Sequence, residues 1–199
     1  MVHLHVHSHY SLLDGLTKIP DLVAAAKGQG ATALALTDHG VMYGIIEFYA
    51  ACQKAGIKPI LGGEVYMARG KLEEKIVTPG KKGYFHLTLL AKNHQGYQNL
   101  LKITTKAHLD GYYYRPRIDR EFLAAHHEGL IAMSGWLAGE VPQAIIENRL
   151  DEARTIAKWH QDLFGEDYYL ELMPHFNIPD QIKANAEMKK VSQELNIPL

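Results

Sequence analysis

The chain begins with histidines at every second position. His3, His5, His7 and His9 lie within the segment 3–10 and alternate with other residues. In an extended strand, side chains two residues apart point to the same face, so His5 and His7 can offer two imidazoles to one metal ion. Imidazole is a common ligand of zinc and other divalent metals. Alone, this pair fits a polar strand face equally well.

Further metal-ligating side chains recur near the ends of later apolar segments. Asp14 follows the first segment in a turn, and Asp38 and His39 end the second, "ATALALTDHG". Glu64 lies in the third and His86 in the fourth. Imidazoles and carboxylates together suit a site for several divalent ions, which can activate water and bind phosphate oxygens. The sequence therefore predicts a metal site with hydrolytic chemistry.

Each of these residues also has a purely structural interpretation. Asp38 is expected to cap a turn or orient a ligand rather than to bind metal itself. Glu64 can be a buried ion-pair partner, and His86 a core histidine. Asp14, which precedes a glycine, can be a simple turn former. His175 follows the sixth segment and can equally line the cleft or lie at the surface.

The elements that must position these residues alternate along the chain. Strands are predicted at 2–7, 32–37, 58–66, 85–91, 129–134 and 168–173, each followed by at least one helix. Repeated strand–helix units predict a parallel sheet with helices packed outside it, and six or seven units favour a barrel. Active sites of such barrels lie at the C-terminal ends of the strands.

Composition narrows the class of protein. The 199 residues are 47% hydrophobic and 22% charged, which predicts a single globular domain over 1–199. The formal net charge of -1 argues against a dedicated nucleic-acid-binding protein, but not against a site that receives nucleic acid from a neighbouring domain. Cys52 is the single cysteine, so no internal disulfide can form. With no signal peptide and no membrane-length apolar segment, a cytoplasmic location is expected.

These motifs resemble those of the PHP (polymerase and histidinol phosphatase) domain family. The matching segments are "HLHVHSHYSLLDG", "ALTDHG", "GIKPILGGEVY" and "FHLTLLAKN". Three others, "FYAACQKAGIKPILGGE", "GYQNLLKI" and "YYLELMPH", are most similar to the form at the N-terminus of bacterial DNA polymerase III alpha subunits. The resemblance implies an α/β fold, a distorted (β/α)7 barrel with a trinuclear metal cleft. It also implies an N-terminal fragment of a longer polymerase chain, truncated before or within the seventh strand.

The resemblance assigns the family's metal ligands to six positions. They are His5, His7, Asp14, His39, Glu64 and His86. Zinc is the expected metal, with manganese or magnesium as alternatives. The family's cysteine ligand, in a motif like "SGCLSGE", is replaced by Trp136 in "SGWLAGE", and an indole is not an ordinary metal ligand. The family's final Asp-x-His pair would follow Leu199.

Two further groups of residues are predicted around the ligands. Asp38, Trp136 and His175 are candidates to line the cleft, where Trp136 is expected to crowd the position of the thiolate. In "GYYYRPR", Tyr113, Arg115 and Arg117 can stack on bases and contact phosphates, with a packed surface loop as the alternative.

The resemblance leaves three functions open. The first is a metal-dependent phosphoesterase within a DNA-directed DNA polymerase, acting in DNA replication as a proofreading 3′–5′ exonuclease on the primer 3′ end. The second is a degenerate barrel that braces the polymerase or docks a separate exonuclease subunit. The third, a stand-alone histidinol-phosphatase-like enzyme, is disfavoured by the polymerase-like motifs. Expected partners are DNA, the other polymerase domains and, through the full chain, the sliding clamp; no membrane partner is expected.

Overall fold

The computed structural model describes residues 1–12, 14–75, 80 and 82–199. These residues contain seven strands and seven α-helices. The strands are β1 (Ala33–Leu36), β2 (Lys58–Ala68), β3 (Tyr84–Ala91), β4 (Tyr112–Tyr113), β5 (Arg115–Ile118), β6 (Leu130–Met133) and β7 (Tyr168–Tyr169). The helices are α1 (Ile19–Gly28), α2 (Ile45–Ala55), α3 (His94–Leu109), α4 (Arg120–Ala125), α5 (Glu140–Ile146), α6 (Leu150–Phe164) and α7 (Pro179–Leu195). None of these helices is long and apolar enough to span a membrane.

The strands form one mixed sheet in the order β4–β5–β2–β3–β6–β7, with β1 also paired to β2. β1 is parallel to the first part of β2, where Leu36 lies opposite Leu61. β5 is parallel to the last part of β2, where Met67 lies opposite Ile118. The long strand β2 therefore connects the two halves of the sheet, and Glu64 lies between these two pairings.

The prediction of an all-parallel sheet is wrong at β3. β3 is antiparallel to β2, with Ala68 opposite Tyr84, and is antiparallel to β6 as well. A crossover between two parallel strands usually contains a helix. The described residues of the connection 69–83 contain no helix. As a result, the N-terminal end of β3 lies beside the C-terminal end of β2, and this brings His86 to the predicted ligand end.

The N-terminal histidine segment is extended but is not a regular strand. The backbone N–H of Ala35 donates to the carbonyl of His3 (3.0 Å), and that of Thr37 donates to Val6 (2.8 Å). The Val6 N–H donates to the Thr37 hydroxyl rather than to a carbonyl (2.9 Å), which interrupts the backbone ladder. The segment 2–7 therefore lies beside β1 and runs parallel to it, as predicted. It forms only one isolated bridge, between His3 and Leu34.

Apolar clusters between the helices and the sheet hold the strands in place. On β1, the fully buried Ile19 of α1 and Phe48 of α2 pack with Leu36. On the same face of the sheet, Leu89 of β3 and Ile103 of α3 belong to a larger cluster that extends to α5, α6 and α7. Full burial of one such side chain stabilises the fold by about 1.5–3 kcal/mol. These contacts fix the strand ends that carry the candidate ligands.

The sheet is open between the N-terminal segment and β7. A groove of about 780 Å³ lies there, lined by apolar side chains that include Ile60, Leu90 and Met133. The described strands therefore form a curved, open sheet instead of a closed barrel.

The buried His160 on α6 makes stability depend on pH. Burial lowers the pKa of His160 from 6.5 to about 4, although its ring lies 3.0 Å from the Ile156 carbonyl oxygen, and the ring stacks on Tyr168. Between these values the unfolded chain binds a proton that the folded chain does not. This contribution to stability is complete above pH 6.5 and is lost as the pH falls towards 4. We expect it to lower the free energy of unfolding by about 2 kcal/mol between pH 7 and pH 5.

Urea denaturation at the two pH values measures this effect. His160→Gln should reduce the pH dependence, whereas the exposed control His94→Gln should keep it. An unchanged pH dependence in His160→Gln would contradict the assignment.

Candidate metal centre

One buried carboxylate lies at the centre of four imidazoles in the described part of the chain. Glu64 Oε2 is 3.0 Å from His5 Nε2, 3.1 Å from His7 Nε2 and 3.0 Å from His39 Nδ1. Glu64 Oε1 is 2.6 Å from His86 Nδ1. Glu64 is only 2% exposed. The structure thus brings together five of the six residues predicted as ligands around a single side chain.

The fold places these residues at one end of the sheet. His39 follows β1 and forms a parallel bridge with Glu64, where the Glu64 N–H donates to Asp38 and the Gly40 N–H donates to Glu64. His86 enters from the antiparallel strand β3. His5 comes from the N-terminal segment that runs beside β1. The site therefore depends on four neighbouring backbone segments in fixed register.

Asp14, the sixth predicted ligand, completes an overlapping set of donors. Its carboxylate forms an ion pair with His39 Nε2. In three groups, the ligand atoms lie within 4.8 Å of one another. These groups are His5–His7–Glu64, His7–Asp14–His39 and His39–Glu64–His86. His7, His39 and Glu64 each belong to two of the three groups, so ions held by these groups would lie close together.

Charge in the cluster matches the needs of divalent metals. Burial alone would raise the pKa of Glu64, but the close polar contacts with the four imidazoles outweigh it and hold that pKa far below its usual range. Burial would likewise lower the pKa of His5, yet hydrogen bonds with Glu171 and Glu64 raise it to about 10. The cluster thus stabilises cationic charge around a fixed carboxylate. Imidazole nitrogens and carboxylate oxygens are also the donors that zinc and related ions prefer, so the residues fit such ions.

Glu171, which follows β7, is a functional candidate that the sequence reasoning missed. Its Oε1 lies 2.6 Å from His5 Nδ1, on the side of the ring opposite to Glu64. Ser134 accepts a hydrogen bond from the Glu171 N–H (2.9 Å) and so fixes its backbone. A carboxylate on the second nitrogen of a ligating histidine sets its tautomer and orientation. The signal was available, because Glu171 also follows a predicted strand, in "YYLELMPH".

Asp38 holds the loop beside the ligands and does not belong to the ligand groups. It accepts hydrogen bonds from the Ser8 N–H (2.6 Å), the Ser8 hydroxyl (2.7 Å) and the Ser11 hydroxyl (2.7 Å). The Ser11 oxygen in turn accepts the His39 N–H (3.0 Å). Asp38 therefore positions His39 and the loop that follows His7.

Two tyrosines form an aromatic wall beside the histidines. The Tyr66 ring is nearly parallel to His39 (6.1 Å between centroids) and edge-on to His86 (5.0 Å). The Tyr84 ring lies 5.8 Å from that of His86. Each tyrosine is two residues from a ligand on the same strand, and this spacing places it on the same face. This spacing is visible in the sequence, in "GEVY" and "YFH".

Arg117 was predicted to contact nucleic acid, but it is buried in the structure. This side chain is 2% exposed, and its guanidinium donates to the carbonyls of Gly111 (3.2 Å) and Leu72 (3.2 Å). It also lies 5.1 Å from the Tyr113 ring. A buried guanidinium that is bonded to backbone carbonyls is not available to a ligand, so Arg117 supports the fold of its loop.

Arg115 remains exposed at the edge of the cluster. A hydrogen bond to Tyr84 raises the pKa of Arg115, and its guanidinium lies 5.8 Å from the Tyr66 ring. The cation therefore lies beside the aromatic wall at the edge of the histidine cluster.

Trp136 and His175 lie next to each other, outside the three ligand groups. Their ring centroids are 5.7 Å apart, and Trp136 is 37% exposed. The loop of Trp136 reaches the cluster through its backbone, because the His86 N–H donates to Ala138 (2.9 Å). Trp136 itself lines a separate groove together with Tyr84.

Comparison with known families agrees with this site. The family model of the PHP domain matches residues 3–175, which include all six predicted ligands. The chain belongs to the PHP domain family. This PHP domain is 49% identical, over its whole length, to the DNA polymerase III subunit alpha of Borreliella burgdorferi, and 45% identical over 98% of its length to that of Deinococcus radiodurans. It spans only 17% and 15% of those two proteins.

A solved structure shares the fold of this PHP domain. A predicted metal-dependent phosphoesterase from Bifidobacterium adolescentis superposes with a TM-score of 0.53, covering 98% of this chain and 83% of that protein. Sequence identity is 14%, so the likeness concerns the fold. The predicted fold class, an α/β fold of the PHP type, is confirmed.

Removal of the Asp38 carboxylate should affect both the stability and the metal affinity of this PHP domain. Asp38→Ala leaves three buried donors without their acceptor, so we expect the free energy of unfolding to fall by about 3 kcal/mol. Because His39 loses its support, metal affinity should fall by about 10–100-fold. Asp38→Asn retains one acceptor oxygen and should lose less. Urea denaturation and metal competition titrations measure the two effects.

Asp162→Ala is the matched control, since Asp162 forms an exposed pair with Lys158 and should change stability by less than about 1 kcal/mol. A destabilised Asp38→Ala that binds metal with wild-type affinity would restrict Asp38 to supporting the fold.

Proposed function

We propose that this PHP domain is a divalent-metal phosphoesterase that acts within a DNA polymerase III alpha chain. Its reaction is the removal of 3′-terminal nucleotides from DNA, as a proofreading 3′–5′ exonuclease. The observation that carries the proposal is the convergence of four imidazoles on Glu64, with Asp14 on the outer side of His39.

Six residues would hold the metal ions in this proposal. They are His5, His7, Asp14, His39, Glu64 and His86. The four imidazoles favour zinc, with manganese or magnesium as alternatives. Bound divalent ions supply positive charge that stabilises phosphate oxygens, and they lower the pKa of water.

Other residues of the domain have supporting roles. Glu171 holds the His5 ring with one nitrogen directed to Glu64. Asp38 fixes the loop that supports His39 through Ser11. Arg115, at the exposed edge, offers a planar cation that can bind two phosphate oxygens at once.

The proposed partners follow from the relatives, which are much longer than this chain. They are the 3′ end of a DNA primer and the other domains of the polymerase chain, in the cytoplasm. A separate exonuclease subunit and the sliding clamp are further proposed partners of the complete chain.

The second candidate function is a structural brace, and the observation that favours it is Trp136. The family resemblance places a cysteine ligand at this position, and an indole cannot replace a thiolate on a metal ion. A barrel with an incomplete ligand set would still support the polymerase or dock a separate exonuclease.

Release of 3′ nucleotides from a primer-template with a mismatched end separates the two functions. The full-length polymerase chain should remove the mismatch in a chelator-sensitive reaction, and His39→Ala should slow this removal by about a hundredfold. Extension of a matched primer reports that the polymerase itself is intact. His94→Ala, at an exposed position on α3, serves as the control. Equal removal by the wild type and His39→Ala, or removal by neither, would favour the brace.

A further inference from the structure

A second groove lies directly beside the metal centre. It has a volume of about 410 Å³, and its described lining includes Arg69, Lys82, Tyr84 and Trp136. That volume is typical of sites for small ligands, which range over about 300–1,000 Å³. The groove adjoins the cluster, because the Tyr84 ring that lines it lies 5.8 Å from the ring of His86. The Tyr84 ring is therefore shared by the groove and by the aromatic wall beside the histidines.

The lining combines aromatic rings with cations. The Lys82 ammonium lies 6.0 Å from the centroid of the Tyr84 ring. The Arg69 Nε donates to the Lys82 carbonyl (2.6 Å), so the two basic residues are held together. The groove also contains Glu147, whose carboxylate is paired with Arg149 (2.7 Å). Rings that accept a stacked base, beside cations that contact phosphate, are the recurring features of single-strand nucleic-acid sites.

Trp136 is presented to this groove by a constrained turn. Gly135 has a φ of +74°, which favours glycine, and the Gly139 N–H closes the turn onto the Trp136 carbonyl (2.7 Å). A Cβ on Gly139 would lie 2.0 Å from the Ser134 carbonyl oxygen, so the turn tolerates no side chain there. The indole on this constrained backbone is 37% exposed, so a ring face is accessible to a ligand. A constrained backbone lowers the entropy that is lost when a base stacks on the ring.

We propose that this groove binds the terminal nucleotide of a single-stranded DNA 3′ end, with its base stacked on Trp136 and its backbone beside Lys82. The proposal rests on the proposed function and adds the substrate subsite to it. The groove would hold the unpaired terminal base while the adjoining phosphodiester lies at the histidine cluster. Extrusion of a base costs least when it is mismatched, so this subsite would favour mismatched ends over paired ones. Trp136 thereby becomes a specificity residue at the position of the family's cysteine.

Photocrosslinking tests the subsite independently of catalysis. The full-length polymerase chain is treated with chelator and mixed with a primer whose mismatched 3′-terminal base is 5-iodouracil. Mass spectrometry of the irradiated complex should identify a crosslink at Trp136, and Trp136→Ala should lose it. The control Tyr49→Ala, at an exposed tyrosine on α2, should keep it. If no crosslink falls within residues 134–138 and none falls within residues 82–84, the proposal is overturned.

Steady-state kinetics on the mismatched primer provide a second measurement. Loss of the stacking surface in Trp136→Ala should raise KM about tenfold, while metal content stays at the wild-type level. Trp136→Phe keeps a ring that can stack and should retain most of the affinity. A Phe variant as weak as the Ala variant, with wild-type metal content, would show that stacking is not the interaction.

The two experiments separate the subsite from the reaction. A crosslink at Trp136 in a chain that releases no nucleotide keeps the subsite and rejects the exonuclease. Nucleotide release without a crosslink in the groove rejects the subsite and keeps the exonuclease.

Discussion

Glu64→Ala is expected to lower the affinity for divalent metal by about a thousandfold. Both oxygens of this carboxylate are used, Oε2 by three imidazoles and Oε1 by His86, so the substitution removes the group that contacts all four imidazoles. Loss of an outer-shell partner already lowers metal affinity by about 10–100-fold, and the loss of a carboxylate that contacts four candidate ligands is expected to exceed that range. Metal content per chain and chelator competition measure the loss.

Two further variants make the result specific. Glu64→Gln keeps the volume and one acceptor oxygen but not the charge, so we expect it to bind metal almost as poorly as Glu64→Ala while losing less stability. Glu194→Ala removes an exposed carboxylate that is paired with Arg154, and it should retain wild-type metal binding. An unchanged metal-to-protein ratio in Glu64→Ala would place the metal elsewhere.

Gly15→Ala is expected to destabilise the protein by about 3 kcal/mol and also to weaken metal binding. A Cβ at this position would lie 1.8 Å from the Ser8 carbonyl oxygen and 2.6 Å from the Ser8 carbonyl carbon. These atoms belong to the backbone, so a rotamer change cannot relieve the clash and the loop itself must move. Asp14 and His7 adjoin the two clashing residues, so the two ligands would separate. Thermal unfolding and metal titration measure the two effects.

Gly28→Ala is the matched control. Gly28 ends α1, and a Cβ built there meets nothing within 4 Å among the described residues. Alanine at such a position should be neutral or stabilising by up to about 1 kcal/mol. If Gly15→Ala behaves like Gly28→Ala, the loop is more adaptable than its packing indicates.

The strands and most of the site could be predicted from local sequence features. β1, β2, β3 and β6 lie where apolar segments predicted them, because buried strands need continuous apolar side chains. His39 and Glu64 were found because they end or interrupt such segments. His5 and His7 were found from their alternation, which survives although the segment is not a regular strand.

The remaining features depend on partners that are distant in sequence. The direction of β3 is set by its pairing with β2 and β6, and an apolar segment is the same in either direction. Glu171 acts on His5 across 166 positions of the chain. Arg117 looks like a surface cation in the sequence, but its guanidinium is buried and donates to the carbonyl of Leu72, 45 positions away, as well as to that of the nearby Gly111.

The reversed direction of β3 has a consequence for how this domain can diversify. Since Ala68 pairs with Tyr84, the connection 69–83 begins and ends at the rim of the histidine cluster. Connections at surfaces tolerate insertions and substitutions with little cost in folding free energy. Variation at the exposed positions of this segment can therefore change what approaches the histidine cluster while the strands that hold the candidate ligands stay in register. Leu72 is an exception, because it is buried and its carbonyl accepts a hydrogen bond from Arg117. In laboratory evolution, a library at the exposed positions around Leu72 is a direct way to search for altered substrate preference.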